Sequence, residues 1–138
     1  MKYLIIIVLF SSSLSMAQEK QGQDIIVHIT NFDSNDGKVR LGLFDSEANW
    51  LDKSIMGKVV EIHEKSCSVT FENLPSGIYA ISLYHDENDN KKLDTNFLGI
   101  PKEDTGSSNN APARFGPPKW KDAKFELKKQ TKIINIKL

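Results

Sequence analysis

The sequence predicts an all-β fold, an antiparallel β-sandwich of about seven short strands with one long ordered loop. Three observations carry that expectation. Apolar and polar residues alternate at period two, the mark of a strand with one buried face. Turn residues punctuate the chain about every ten residues, the spacing of a sandwich. Only Ser46–Met56 has any helical character, and it is short.

The elements follow in order. Ile25, Val27 and Ile29 alternate with Ile26, His28 and Thr30. Asn35-Asp36-Gly37 comes next, where Asp-Gly supplies the positive φ of a tight hairpin. Lys38–Phe44 alternates again, with Val39, Leu41 and Leu43 on one side. Lys58–His63 and Cys67–Leu74 read as a third and a fourth strand, and Pro75-Ser76-Gly77 as a turn. Ile78–His85 places Tyr79, Ile81 and Leu83 on one face, and Lys132–Leu138 does the same with Ile134, Ile136 and Leu138. No repeat or flexible linker interrupts residues 18–138, which are expected to form one domain.

Ahead of the domain stands a different kind of segment. Met1-Lys2 is followed by an apolar run, Tyr3–Phe10, and then by Ser11–Ala17 with small residues at Ser15 and Ala17. A positive start, a short apolar stretch and a small-x-small end make residues 1–17 a secretory signal peptide. The run is too short for a spanning helix, which needs about 20 apolar residues. The expectation is export to the periplasm or the extracellular space, with no membrane insertion after cleavage. Cys67 is the only cysteine, so no intrachain disulfide forms. It shares a face with Val69 and Phe71 and is expected to be buried as a small hydrophobe. Lys plus Arg and Asp plus Glu each number 18. The cations are scattered, which argues against nucleic acid and gives no anionic-membrane stripe.

From Asp86 to about Lys121 the alternation stops, and Asp, Asn, Gly, Pro and Ser dominate. Connections this long are functional or disordered. Phe97, Leu98, Ile100, Phe115 and Trp120 argue for order, because apolar groups at this density need a surface to cover. The segment opens Asp86-Glu87-Asn88-Asp89-Asn90-Lys91-Lys92-Leu93-Asp94. Oxygen side chains at 86, 88, 90 and 94 match the first nine places of a calcium loop, D-x-[DN]-x-[DN]-G-x-x-x. A tightly turning loop aims every second side chain at one point, and calcium takes six to eight oxygens at about 2.3–2.6 Å. Leu93 fills the apolar anchoring place, and Lys92 offers its backbone carbonyl. Lys91 stands where glycine makes the sharp turn, and Phe97 where a bidentate glutamate belongs, so this is not an EF-hand. The expected ligands are Asp86, Asn88, Asn90, Lys92 and Asp94, completed by Glu103 or Asp104. Binding is expected to be weak, of order 10⁻⁴–10⁻³ M. The plain alternative is a solvated polar turn.

Catalytic motifs are absent: there is no G-x-S-x-G, H-E-x-x-H or C-x-x-C. His28, His63 and His85 lie far apart on predicted strands and read as surface residues rather than a zinc triad. His85 beside Asp86 has no nucleophile placed next to it, so the protein is expected not to be an enzyme. Trp50 and Trp120 either cap the core or form a sugar-stacking platform. Arg114 and Trp120 mark the expected binding surface, Arg114 pinning the loop to a carboxylate.

Leu74-Pro75-Ser76-Gly77-Ile78-Tyr79-Ala80-Ile81, Tyr84–Asp94 and Asn96–Glu103 together resemble a bacterial secreted family known as a domain of unknown function (number 2141). Ser108-Asn109-Asn110-Ala111 and Phe115-Gly116-Pro117-Pro118 fit the same pattern. More distantly, L-P-x-G-x-Y resembles transthyretin-like and collagen-binding-protein B-type (Cna-B-like) sandwiches. The resemblance implies export and a seven-stranded sandwich, and no activity. The functional expectation is a non-catalytic, monomeric cell-envelope module with a calcium-ordered loop and a protein or glycan partner. The alternative is an envelope polysaccharide hydrolase or carbohydrate-binding module using residues 86–120.

Overall fold

The computed structural model describes residues 22–138, so the signal-peptide reading lies outside the described residues. Eight strands form two sheets. They are β1 (Gln23–Thr30), β2 (Lys38–Phe44), β3 (Met56–Val60), β4 (Ser66–Leu74), β5 (Gly77–Asp86), β6 (Thr105–Ser107), β7 (Phe125–Leu127) and β8 (Lys132–Lys137). One sheet has the order β4-β1-β8 and the other β3-β2-β5-β6, with β7 added against the start of β5. Their facing sides make the core, where the alternation read from the sequence appears as burial. Ile25, Val27 and Ile29 of β1 are sealed against Val39, Leu41 and Leu43 of β2, Ile81 and Leu83 of β5, and Ile134 and Ile136 of β8. Removing such side chains from water is the main stabilising term, about 1.5–3 kcal/mol for each large aliphatic. Among the described residues no helix is long and apolar enough to cross a membrane.

Four expectations change. First, the sandwich is not wholly antiparallel: β8 runs parallel to β1, with Ile25 opposite Lys132 and Thr30 opposite Lys137. Period two sets which face is buried and says nothing of the partner's direction. Second, Asn35-Asp36-Gly37 is a corner between sheets and not a hairpin, because β1 pairs with β4 and β8 while β2 pairs with β3 and β5. Gly37 does adopt the left-handed region (φ 64°). A Cβ there would also collide with the Asp86 carbonyl oxygen, so glycine is demanded twice. Third, the helical stretch shrinks to one 3-10 turn, Glu47–Asn49. Leu51 then takes φ 61°, and the Ile55 amide bonds back to the Leu43 carbonyl at 2.8 Å, starting the approach to β3. Fourth, the long segment holds one three-residue strand, β6, a 3-10 turn at Ser108–Asn110 and the start of one helical turn, α1 (Trp120–Ala123), and a second three-residue strand, β7, follows it; all are too short to show a period.

Cys67 is half-buried at the margin of the core, and burial pushes its thiol up to about 11. At neutral pH it is a packed thiol with almost no thiolate, an inert structural cysteine.

Candidate functional site

The acidic loop begins where β5 ends, and its placement is decided by a neighbouring strand. Along β2, Arg40 alternates outward between Val39 and Leu41 and stands opposite Tyr84 on β5. From there its side chain reaches diagonally along β5 to Asp86, a standard cross-strand relation. Arg40 Nε donates to Asp86 Oδ2 at 2.6 Å, and Nη2 donates to Asp89 Oδ1 at 3.0 Å. Asp86 itself is fully buried under the loop. Its Oδ1 accepts the Asn90 amide at 3.0 Å, and its Oδ2 accepts the Lys91 amide at 2.9 Å. Burial alone would push this carboxyl up. The Arg40 guanidinium and the two backbone amides outweigh it and hold the group below the usual carboxylate range. A carboxylate accepting the amides four and five residues ahead closes the chain into a tight turn. Lys91, in glycine's place, takes φ 68°, and Asp89 takes φ 50°. The sharp turn therefore forms without its glycine, at a local conformational cost.

The next layer is built on Asp94. Its Oδ2 accepts from Asn88 Nδ2 at 2.8 Å, and its two oxygens accept from Asn90 Nδ2 at 2.8 and 2.9 Å. Those amide bonds, Asn90 first and Asn88 second, hold its carboxyl below the ordinary value. The amide oxygens turn the other way. Asn88 Oδ1 accepts the Asn90 backbone amide, and Asn90 Oδ1 accepts that of Lys92. Glu103 closes the layer from the far end of the loop: its Oε2 accepts the Asp94 amide at 3.1 Å. Glu103 Oε1 is buried and has no hydrogen-bond partner.

The structure thus brings Asp86, Asn88, Asn90, Lys92, Asp94 and Glu103 into one hydrogen-bonded unit. Asp104 stays outside it, its carbonyl accepting the His85 amide at 2.9 Å. Among the described residues no three His, Cys, Asp or Glu side chains gather as an ion-holding group. An ion here would need amide and backbone oxygens beside its carboxylates. Calcium suits that mixed oxygen set, and the unpartnered Glu103 oxygen is an acceptor with spare capacity. Asp86 fits less well, since both its oxygens are engaged and a guanidinium lies against one of them.

Three other residues differ from expectation. Trp120, expected on a binding surface, is 8% exposed. It packs in a satellite core with Phe44, Ala80 and Ala123, with its ring 5.8 Å from that of Trp50. Trp50 Nε1 donates to the Pro118 carbonyl at 2.7 Å, so the pair caps the sandwich and leaves no open platform. Arg114 is exposed and makes no ion pair among the described residues. The arginine that pins the loop is Arg40, which sequence reasoning missed; its signal was a lone outward guanidinium on a strand otherwise apolar on its other face. His85 is buried and not on the surface, with Nε2 donating to the Asp36 carbonyl at 2.7 Å and Phe32 edge-on at 5.2 Å. Its Nδ1 has no hydrogen-bond partner and lies 3.6 Å from Glu87 Oε1.

Beyond Asp94 the chain makes a second turn. Thr95 and Pro101 form a bridge, the Asn96 amide bonds the Ile100 carbonyl at 2.9 Å, and the Gly99 amide bonds the Asn96 carbonyl at 3.0 Å. Asn96 Oδ1 also accepts the amides of Leu98 and Ile100. The apolar residues expected to cover the core do not: Phe97 is 95% exposed, Leu98 and Ile100 are largely exposed, and Phe115 is fully so. Leu93, expected as an anchor, is 36% exposed.

The family model described as "Uncharacterized protein conserved in bacteria (DUF2141)" matches residues 27–135. The chain belongs to this family. The match runs from within β1 to within β8, so the Arg40–Asp86 anchor, the acidic loop and the apolar turn all lie inside the DUF2141 region. No curated protein and no solved structure matches the chain.

An open groove of ≈ 830 Å³ lies elsewhere, lined by residues of β1, β3, β4 and the β3–β4 connection that include His28, Glu61, His63 and Cys67. None of its lining residues comes from 86–120.

Proposed function

We propose that this DUF2141 chain is an exported, non-catalytic binding module of the bacterial cell envelope, with the β5–β6 loop as its binding surface. The observation that carries this reading is a contrast within one loop. The base is locked by Arg40, Asp86 and paired amides, while Phe97, Leu98 and Ile100 are held out into water. A rigid base under exposed apolar side chains is the arrangement of a preorganised contact surface, since little ordering entropy is left to lose on binding. Export rests on the signal-like residues 1–17. The absence of catalytic motifs from the sequence supports a binding role rather than turnover.

In this proposal calcium orders the loop. Asp94 and Glu103 supply the carboxylates, Asn88 and Asn90 the amide oxygens after side-chain rotation, Lys92 a carbonyl, and Asp86 chiefly shapes the turn. The buried, unpartnered Glu103 Oε1 supports it, since a buried carboxylate oxygen without a partner is costly. The test is thermal unfolding in chelator, in millimolar calcium and in magnesium. A ligand bound only by the folded state stabilises by about 2.7 kcal/mol at one hundred times its dissociation constant. The expected result is a calcium-specific rise in midpoint that Asp94→Asn with Glu103→Gln removes. An identical rise in that variant, or none in the parent, would leave Asp86–Asp94 as a self-sufficient polar turn. Asp94 and Glu103 are better probes than Asp86, whose removal takes away one of the two carboxylates paired with Arg40 and frees two backbone amides.

A further inference from the structure

The edges of the two sheets are not alike. In the three-stranded sheet the edges are β4 and β8. β8 is guarded, since Asn110 Oδ1 accepts the Lys137 amide at 2.9 Å. In the other sheet β6 and β7 have three residues each, and β3 has five with Lys58 at its centre. β4 has nine residues and Glu72 as its only charge. Lysine and proline, which usually blunt an edge, are both missing from it.

Its backbone groups can be assigned to sides. Ser66 and His63 exchange both backbone bonds at 3.0 Å, so the groups of Ser66 point away from β1. Thr30, opposite Ser66 on β1, turns its carbonyl to the Leu138 amide instead. Backbone groups of successive strand residues face opposite edges. Cys67, Val69 and Phe71 therefore bond β1, while Ser68, Thr70 and Glu72 present their N–H and C=O groups at the free edge. Among the described residues nothing bonds those groups. The row is bounded by the occupied Ser66 at one end. At the other, Asn73 leaves strand geometry at φ 55°, and its amide bonds Asp24 Oδ1 at 3.0 Å.

A row of unpaired donors and acceptors selects a strand as its partner, and the symmetry of this row selects which strand. A second copy related by a two-fold axis pairs residues symmetrically about one position. Only an axis through Thr70 maps the row onto itself. Thr70 then faces its counterpart and Ser68 faces Glu72, so every free group meets a free group. An axis through Val69 would set Glu72 against the occupied Ser66, and one through Glu72 would set two carboxylates face to face. Side chains agree with the Thr70 axis. Threonine opposite threonine and serine opposite glutamate are favourable cross-strand pairs, and no like charges meet. On the inner face Val69, only partly buried at the core margin, would lie opposite Phe71 of the second copy and be covered.

We infer that the β4 edge binds a second copy of this chain, β4 against antiparallel β4 about Thr70, which joins the two three-stranded sheets into one continuous sheet. So short a ladder buries less than the roughly 1,200–2,000 Å² of a stable interface, so the dimer is reversible and depends on concentration. It uses no residue of the β5–β6 loop and stands independently of the function proposed above.

The test is sedimentation velocity of residues 18–138 across a wide concentration range. The expected result is a monomer–dimer equilibrium. Thr70→Pro removes an outward amide and leaves the bonds to β1 intact. It should weaken association by about tenfold or more, with the thermal midpoint nearly unchanged. Thr70→Lys keeps every backbone group and sets two like charges on the axis, so it should give the same loss even if proline disturbs folding. Ser68→Glu, facing Glu72, should weaken the dimer, and Ser68→Lys should tighten it. A parent chain that stays monomeric at every concentration overturns the inference and leaves this edge to a foreign strand. Undiminished association of both Thr70 variants, or shifts of the same sign in the two Ser68 variants, also overturns it.

Discussion

Two stretches of one loop, Asp86–Asp94 and Thr95–Pro101, reverse the usual placement of polar and apolar groups. In the first, a carboxylate is sealed from water and its neighbours' side chains bond one another. In the second, Phe97 and Leu98 stand in solvent at the head of a turn. What separates them is the availability of partners. Asp86 ends a central strand within reach of Arg40, so burial is compensated. The 95–101 turn extends past the sheet, so its apolar side chains have nothing to pack on. Burial in this protein follows where the sheet can deliver a partner and not hydrophobicity alone.

The comparison breaks most visibly at its base. Asp86→Ala should cost about 2 kcal/mol in urea denaturation, because it removes one of the two carboxylates that hold the Arg40 guanidinium and frees the Asn90 and Lys91 amides. Arg40→Ala should also destabilise, and the double variant should lose less than the two losses summed, which a double-mutant cycle reads directly. Additivity would mean that the 2.6 Å pair contributes no coupling.

Acid should act on the same stretch. Asp86 and Asp94 both have folded-state values below their ordinary ones. Groups depressed in this way stabilise above the unfolded value and lose that contribution as pH falls through the folded one. Stability measured from neutral pH downward should hold until about pH 4 and then decline. Asp86→Asn should show a shallower decline from a lower plateau; an unchanged slope would place the acid sensitivity elsewhere.

The turn geometry gives a gain rather than a loss. Lys91 is held at φ 68°, a region costing a non-glycine residue about 1 kcal/mol. Lys91→Gly should recover up to about 1 kcal/mol, less the extra freedom glycine gives the unfolded chain. A clear destabilisation would show that the Lys91 side chain contributes a contact outweighing its backbone strain. At the tip the smallest effect is expected: Phe97→Ser should change stability by no more than about 0.5 kcal/mol, as for other exposed positions. A loss of several kcal/mol would show that Phe97 packs against the fold after all.

Most strands were legible because their signal is local. Val39, Leu41 and Leu43, or Tyr79, Ile81 and Leu83, declare a buried face whatever they pair with. The three-residue strands β6 and β7 were not, since three residues cannot display a period and both exist only because β5 offers them an edge. The site divides in the same way. The alternating oxygens from 86 to 94 were readable as spacing and Glu103 only as one of two candidates beside Asp104; the structure joins Glu103 and not Asp104 to the network. Arg40, more than forty residues earlier, was not, because its role depends on β2 lying beside β5.

What the sequence determined by itself was the set of faces and turns: which side of each strand is apolar, where the chain must bend, and which residues carry oxygen ligands. Those depend on side-chain type at short spacing. The tertiary structure alone decided the partners: β8 running parallel to β1, Trp120 turned inward, His85 buried, Arg40 rather than Arg114 holding the loop, and Phe97 left in water. Each of these depends on which groups distant in the chain become neighbours in space, and periodicity carries no information about that.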